Sequence, residues 1–167
     1  MLVATYALVT LSVEQKCERN SIQAVMQALA KSWDPAEFDP AELIVALEKL
    51  VTIAESTHWR RLEFCLIPAI REASGGSGYG MRAIETLGRD GKEMLPLIRR
   101  GLRCPAEFTS SQTCGWLQEY CQNLLARLAC EEDQIVPLAQ RLLDTEAWLR
   151  VGLGFLHQDS AALDFLR

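Results

Sequence analysis

Imidazole is scarce in this chain. Its 167 residues include two histidines, His58 and His157, so any chemistry that needs a cluster of imidazole ligands starts short of donors. A dense basic stripe is also missing. The formal charge is −5, and Arg60-Arg61 and Arg99-Arg100 are isolated pairs that read as solvated helix faces. A general nucleic-acid binder is therefore excluded. Residues 1–13 are uncharged and rather apolar, yet they have no basic n-region and no small-x-small cleavage site. They are also too short to span a bilayer. They read as the first turns of a buried helix in a cytoplasmic protein that uses no membrane. The six cysteines, at 17, 65, 104, 114, 121 and 130, contain no C-x-x-C pair and no zinc-finger spacing. They read as small buried apolar side chains. A soft-metal site joining Cys65, Cys121 and Cys130 to His58 is the alternative, disfavoured by their irregular placement. Strand alternation is absent throughout, which argues against a β-fold.

What is present is helical punctuation within a length that suits one domain, residues 1–167. The first long segment spans about 3–31 and stops at Ser32-Trp33-Asp34-Pro35. Asp39, Pro40 and Glu42 open the second as N-cap, first-turn proline and first-turn acid. It runs to about Ala73 and closes at the glycine-rich stretch 75–80. That stretch lacks a preceding strand and a following Lys-Ser or Lys-Thr pair, so it is a flexible connector rather than a phosphate loop. A third segment covers about 80–102. The fourth opens near Ser110-Ser111 and ends near Leu143. Thr145 to Leu156 then form a shorter helix capped by Asp144. Short connections between long amphipathic segments predict an all-α, up-down-up-down four-helix bundle with a short C-terminal helix. Pro68, Pro96 and Pro137, late in their segments, should each kink a helix.

Two of these segments end alike. Residues 58–68 align with residues 127–137: a long polar group (His58, Arg127) ten residues before a proline, a glutamate five before it (Glu63, Glu132), and two aliphatics just ahead of it. The apolar stripes are each interrupted near mid-helix as well. Leu8, Leu11, Gln15, Arg19, Ile22, Met26 and Leu29 form the first, broken at Arg19. The others break at His58, Gly91 and Glu131, with Arg127 one turn before Glu131. In an antiparallel bundle these breaks meet at one level. Because an unpaired buried charge costs several kcal/mol (a rough figure), they predict a polar layer inside the core.

On these residues the chain resembles the hemerythrin-like family of cation-binding helical bundles, over nearly its whole length. The run Glu131-Glu132-Asp133-Gln134-Ile135-Val136-Pro137 matches that family's fourth-helix motif, and residues 143–148 and 154–159 resemble its closing helix. The resemblance implies a non-haem di-iron centre held by histidines and bridging carboxylates, serving oxygen binding, iron or oxygen sensing, or nitric-oxide and peroxide responses. Carried over position by position, the first-helix histidine falls at or near Arg19 and the second-helix histidine is His58. The glutamate that should follow His58 falls on Leu62, with Glu63 one residue off. The third-helix histidine falls on Gly91, the fourth-helix histidine on Arg127, and its glutamate on Glu131. Two ligands remain, His58 and Glu131. Arginine offers no lone pair and keeps its charge.

The expectation is therefore a bundle that has lost di-iron binding, with no cofactor. Arg19, Arg127 and Glu131 form an ion-pair network in the former site, and Gly91 and Leu62 line the pocket left there. His58 then reads as a core histidine bonded to a neighbour, with a residual ligand or a surface residue as alternatives. No nucleophile-base-acid arrangement is recognisable, so a non-enzymatic binding, sensory or regulatory role is expected, with a small ligand or a protein as partner. The alternative is an atypical iron- or oxygen-responsive member holding one cation through His58, Glu63, Glu131 and Glu132. Trp33 and Trp116, at helix boundaries, cap the core ends or, if exposed, serve a homodimer contact.

Overall fold

A computed structural model describes residues 2–32, 34, 38–76 and 81–164, with side chains through 158. The described residues are all-α, without a strand. They make five long helical runs: α1 (Leu2–Ser32); a run over 40–73; α5 (Arg82–Arg103); a run over 110–142; and α8 (Thr145–Asp164). The second run comprises α2 (Pro40–Val51), a π-helical segment Thr52–His58, α3 (Trp59–Arg61), a second π-helical segment Leu62–Leu66 and α4 (Ile67–Ala73). The fourth comprises α6 (Ser110–Cys130), the π-helical segment Glu131–Ile135 and α7 (Val136–Leu142). No described helix is long and apolar enough to cross a membrane.

The termini follow the local chemistry. Asp39 accepts hydrogen bonds from the backbone N–H groups of Ala41 and Glu42 at 2.9 and 3.3 Å, satisfying donors that a helix start leaves open. Thr109 and Gln112 form a reciprocal capping box ahead of α6. Asp144 caps α8 through the Ala147 N–H at 2.8 Å. At the other end of α4, Gly75 (φ 65°) and Gly76 (φ 82°) turn the chain. Their N–H groups return to Glu72 and Arg71 carbonyls, a left-handed closure that favours glycine. One expectation fails here: α8 does not stop at Leu156 but continues to Asp164. Gly80, expected to start the third segment, and Trp33 both lie outside the described residues.

The 58/127 repeat has a structural counterpart. Leu62 and Glu131 each open a π-helical segment, and Pro68 and Pro137 each sit in the first turn of the α-helix that follows. Ile67 and Val136 donate to the carbonyls five residues back, Leu62 and Glu131. A proline donates no N–H and crowds the carbonyl four residues before it. One widened turn accommodates both problems. Pro96, by contrast, lies within an uninterrupted α5.

Packing divides the interior in two. One apolar cluster joins α1, α2, α5 and α6 through Ile22, Val25, Leu43, Leu47, Ile98 and Leu124. The other joins the start of α1 to residues 59–70, α7 and α8 through Ala7, Leu11, Leu66, Ala139, Val151 and Phe155. Trp116 is half-buried against the first cluster and meets Phe108 edge to face at 5.1 Å. Between the clusters α1 buries Glu14, Gln15, Glu18 and Ser21, the second run buries His58 and Arg61, and the fourth buries Arg127 and Glu131.

Candidate functional site: a buried ion-pair layer

Glu18, His58, Arg127 and Glu131 are each 0% exposed. Four polar side chains are not hidden this completely without partners, and the partners fall into two connected groups. In the first, His58 Nδ1 lies 3.1 Å from Glu14 Oε2 and Nε2 lies 2.7 Å from Glu131 Oε2. Arg61 pairs with the other oxygen of Glu14, and its guanidinium lies over the Phe155 ring at 5.5 Å. Gln15 donates to Glu131 Oε1 at 2.9 Å.

Arg127 organises the second group. Its Nη1 donates to Glu55 Oε1 at 2.9 Å, and its Nη2 donates to Glu18 Oε1 at 3.3 Å and to the Ala54 carbonyl at 3.0 Å. Tyr120 donates its hydroxyl proton to the same Glu55 oxygen at 3.3 Å. The guanidinium stacks 5.0 Å from the centre of the Trp59 ring, a cation–π contact strengthened by burial. Burial raises the Glu18 carboxyl above the ordinary carboxylate value, an effect Arg127 opposes and nearby Glu131 reinforces. Burial and the neighbouring Glu55 also push the Tyr120 phenol upward, so it stays a donor. Burial works against the Arg127 charge, but Glu18 and Glu55 overcome it and raise its pKa.

These pairings differ from the expected network. Arg19 does not enter the layer; it forms a two-pronged pair with Glu132 at 2.7 and 2.5 Å on the surface, its side chain 43% exposed. Arg127 and Glu131, though one turn apart, bond to other partners. The reason is one of helix rotation. Residues 14, 18, 22, 25 and 29 follow the same three-and-four steps as the stripe through Arg19 and Met26. In the structure Val25 is 0% exposed and Met26 37%. One residue is a turn of about 100°, enough to exchange Glu18 for Arg19.

Gly91 does not open a pocket beside Leu62. A Cβ at Gly91 would come 3.0 Å from Asn123 Oδ1, 3.6 Å from Tyr120 and 3.8 Å from Glu55 Oε1, so neighbouring side chains already occupy that space. Leu62, 0% exposed, belongs to the second apolar cluster. Sequence reading missed Glu14, Glu18, Glu55 and Tyr120, and it placed Arg61 on a solvated face, whereas Arg61 is buried against Glu14. The available signal was the spacing: Glu14 and Glu18 are four apart, as are Arg127 and Glu131, and Glu55 precedes His58 by three.

The donor set does not suit the di-iron centre that the family resemblance implies. The ring nitrogens of His58 point to opposite sides and each already faces a carboxylate, so Glu14 and Glu131 cannot meet at one ion beside it. Glu63 and Glu132 are turned to the surface, where they pair with Lys92 at 3.0 Å and with Arg19. Two guanidinium groups occupy the interior, where a cation would need lone pairs. Among the described residues no group of three histidine, cysteine, aspartate or glutamate side chains is placed to hold a metal ion.

Comparison with protein-family models, with curated proteins and with solved structures gave no match for this chain.

Proposed function

We propose that the chain is a hemerythrin-like bundle, its first four helical runs packed up-down-up-down with α8 against them. In this reading a protein-only ion-pair layer stands where relatives hold iron, and the protein works as a non-enzymatic binding, sensory or regulatory element. The observation that carries the reading is Arg127. It is 0% exposed and clamped between Glu55 and Glu18 at 2.9 and 3.3 Å, and on the family resemblance it falls where a ligand histidine would stand. A guanidinium held by two carboxylates supplies internally the positive charge that a metal would bring. The 58/127 repeat supports the family reading, because both copies place a buried residue at the head of a π-helical turn before proline.

The buried acids are engaged by arginine, histidine or glutamine, an arrangement that supports a structural role for the layer within this reading. Of the six cysteines, Cys114, Cys121 and Cys130 are buried as expected, whereas Cys17 and Cys104 are exposed and Cys65 is half-buried.

The test is metal content. Untagged protein purified aerobically and then reconstituted with ferrous iron should hold far less than one iron per chain and show no absorption bands of an oxo-bridged di-iron centre. About two irons per chain with those bands would overturn the reading. A single tightly held cation would also overturn it and would require Glu63 and Glu132 to leave Lys92 and Arg19 and turn inward toward His58 and Glu131.

A further inference from the structure

Away from the polar layer, the seam between residues 59–71 and α5 opens into a cleft of about 530 Å³. Two inter-helix ion pairs brace it: Arg71 with Glu85, and Lys92 with Glu63 at 3.0 Å. Its floor is apolar, made by Trp59, Ile67 and the bare backbone of Gly88. Gly88 is required there, since a Cβ would collide with Cζ2 of the Trp59 ring.

Two features of this cleft lack internal explanation. Arg89 and Glu93 both line it and stand four residues apart on α5, where opposite charges ordinarily pair. They do not pair here. Arg89 makes only a 3.5 Å contact with its neighbour Asp90, and Glu93 has no partner among the described residues. In addition, the indole N–H of Trp59, enclosed beneath the floor, has no hydrogen-bond partner among the described residues, as is true of the Arg127 Nε behind it.

We infer that this cleft binds a small zwitterion of the apolar amino-acid type. Its ammonium group is received by Glu93, its carboxylate by Arg89, and its apolar portion by Trp59 and Ile67. The braced ion pairs offset the remaining charges of the rim, leaving Glu93 unpaired among the described residues and Arg89 held only by its long contact with Asp90. The cleft volume lies in the range of small-molecule sites. Trp59 also connects the cleft to the interior. Its ring lies 6.0 Å from Lys92 Nζ and 5.0 Å from the Arg127 guanidinium carbon, so an occupant on the indole touches the wall of the ion-pair layer. The inference goes beyond the metal-free reading and stands independently of it, because the cleft shares no ligand position with the layer.

Calorimetric titration of the full chain with L-leucine and L-phenylalanine tests it, against their methyl esters (ammonium only) and N-acetyl derivatives (carboxylate only). The zwitterions should bind at millimolar or tighter affinity, an order-of-magnitude expectation for ligands of this size. Each singly charged analogue should bind roughly fivefold or more weakly. Arg89→Gln and Glu93→Gln, both on exposed side chains, should each weaken the zwitterions by a similar factor while leaving the helical circular dichroism unchanged. Absence of binding by the zwitterions, equal binding by an ester or acetyl derivative, or undiminished binding by either variant would overturn the inference. None of these outcomes bears on the iron content by which the metal-free reading is tested.

Discussion

The Nε2 atom of His58 lies 2.7 Å from Oε2 of Glu131, its partner across 73 residues of sequence, both side chains fully buried. On the far edge of the same ring Nδ1 faces Glu14 at 3.1 Å. Carboxylates accept hydrogen bonds and do not donate them, while a neutral imidazole has a single N–H. The trio Glu14–His58–Glu131 must therefore share two protons, either both on the ring or one on a carboxyl.

That proton count is directly measurable. With only two histidines in the chain, long-range ¹⁵N–¹H spectra can separate His58 from His157. A proton should be found on both ring nitrogens of His58, or on one nitrogen with a protonated glutamate opposite the other. A single ring proton with both glutamates ionised would contradict the geometry.

The two arginines on which the sequence reading depended should behave differently when removed. Arg127→Ala strands Glu18 and Glu55 in the interior and should cost about 3–5 kcal/mol of stability in urea denaturation. Arg19→Ala removes a half-exposed pair with Glu132 and should cost under about 1 kcal/mol. Equal losses would mean that the wrong arginine has been placed in the layer.

The raised Glu18 carboxyl gives stability a pH dependence of known sign. The folded state keeps this proton to higher pH than the unfolded chain, so the native state binds more protons between the ordinary carboxylate value and the raised one. Stability from this group is complete below that window and falls as pH rises through it. Glu18→Gln should abolish that portion of the decline. The lowered carboxyls of Glu48 and Glu132, each set chiefly by an arginine hydrogen bond, act in the opposite sense. They are present in both proteins, so the wild-type minus variant difference isolates Glu18. Parallel urea-denaturation profiles against pH would refute the assignment.

Two glycines on one helix should differ in tolerance. Alanine at Gly88 collides with a rigid indole and should destabilise by about 1–3 kcal/mol, as overpacking does. At Gly91 the tightest neighbour is the end of the Asn123 side chain at 3.0 Å, which can rotate. The gain in helix propensity, up to about 1 kcal/mol, should leave Gly91→Ala near neutral. Thermal denaturation of the two variants compares them, and a reversed order would show that Gly91, not Gly88, lies against the immovable wall.

The helices, their caps and their ends were largely legible from local chemistry: an aspartate before Pro40, glycines after Ala73, an aspartate before Thr145. These features act within a turn of the residues that encode them, so the sequence alone determines them. It also showed a polar group interrupting three of the four apolar stripes at mid-helix, and a glycine, Gly91, interrupting the other. The identity of those groups was decided elsewhere. On α1 two registers share Leu11, Ile22 and Leu29, and one delivers Arg19 to the core while the other delivers Glu18. Local hydropathy scarcely separates them. Only packing against the other helices does so, because Glu18 meets the buried guanidinium of Arg127 while Arg19 reaches Glu132 in solvent. The same holds for Arg127 and Glu131, neighbours along a helix that found partners on other helices. Pairing among buried charges depends on distances of a few ångströms across the bundle, and only the tertiary structure sets those.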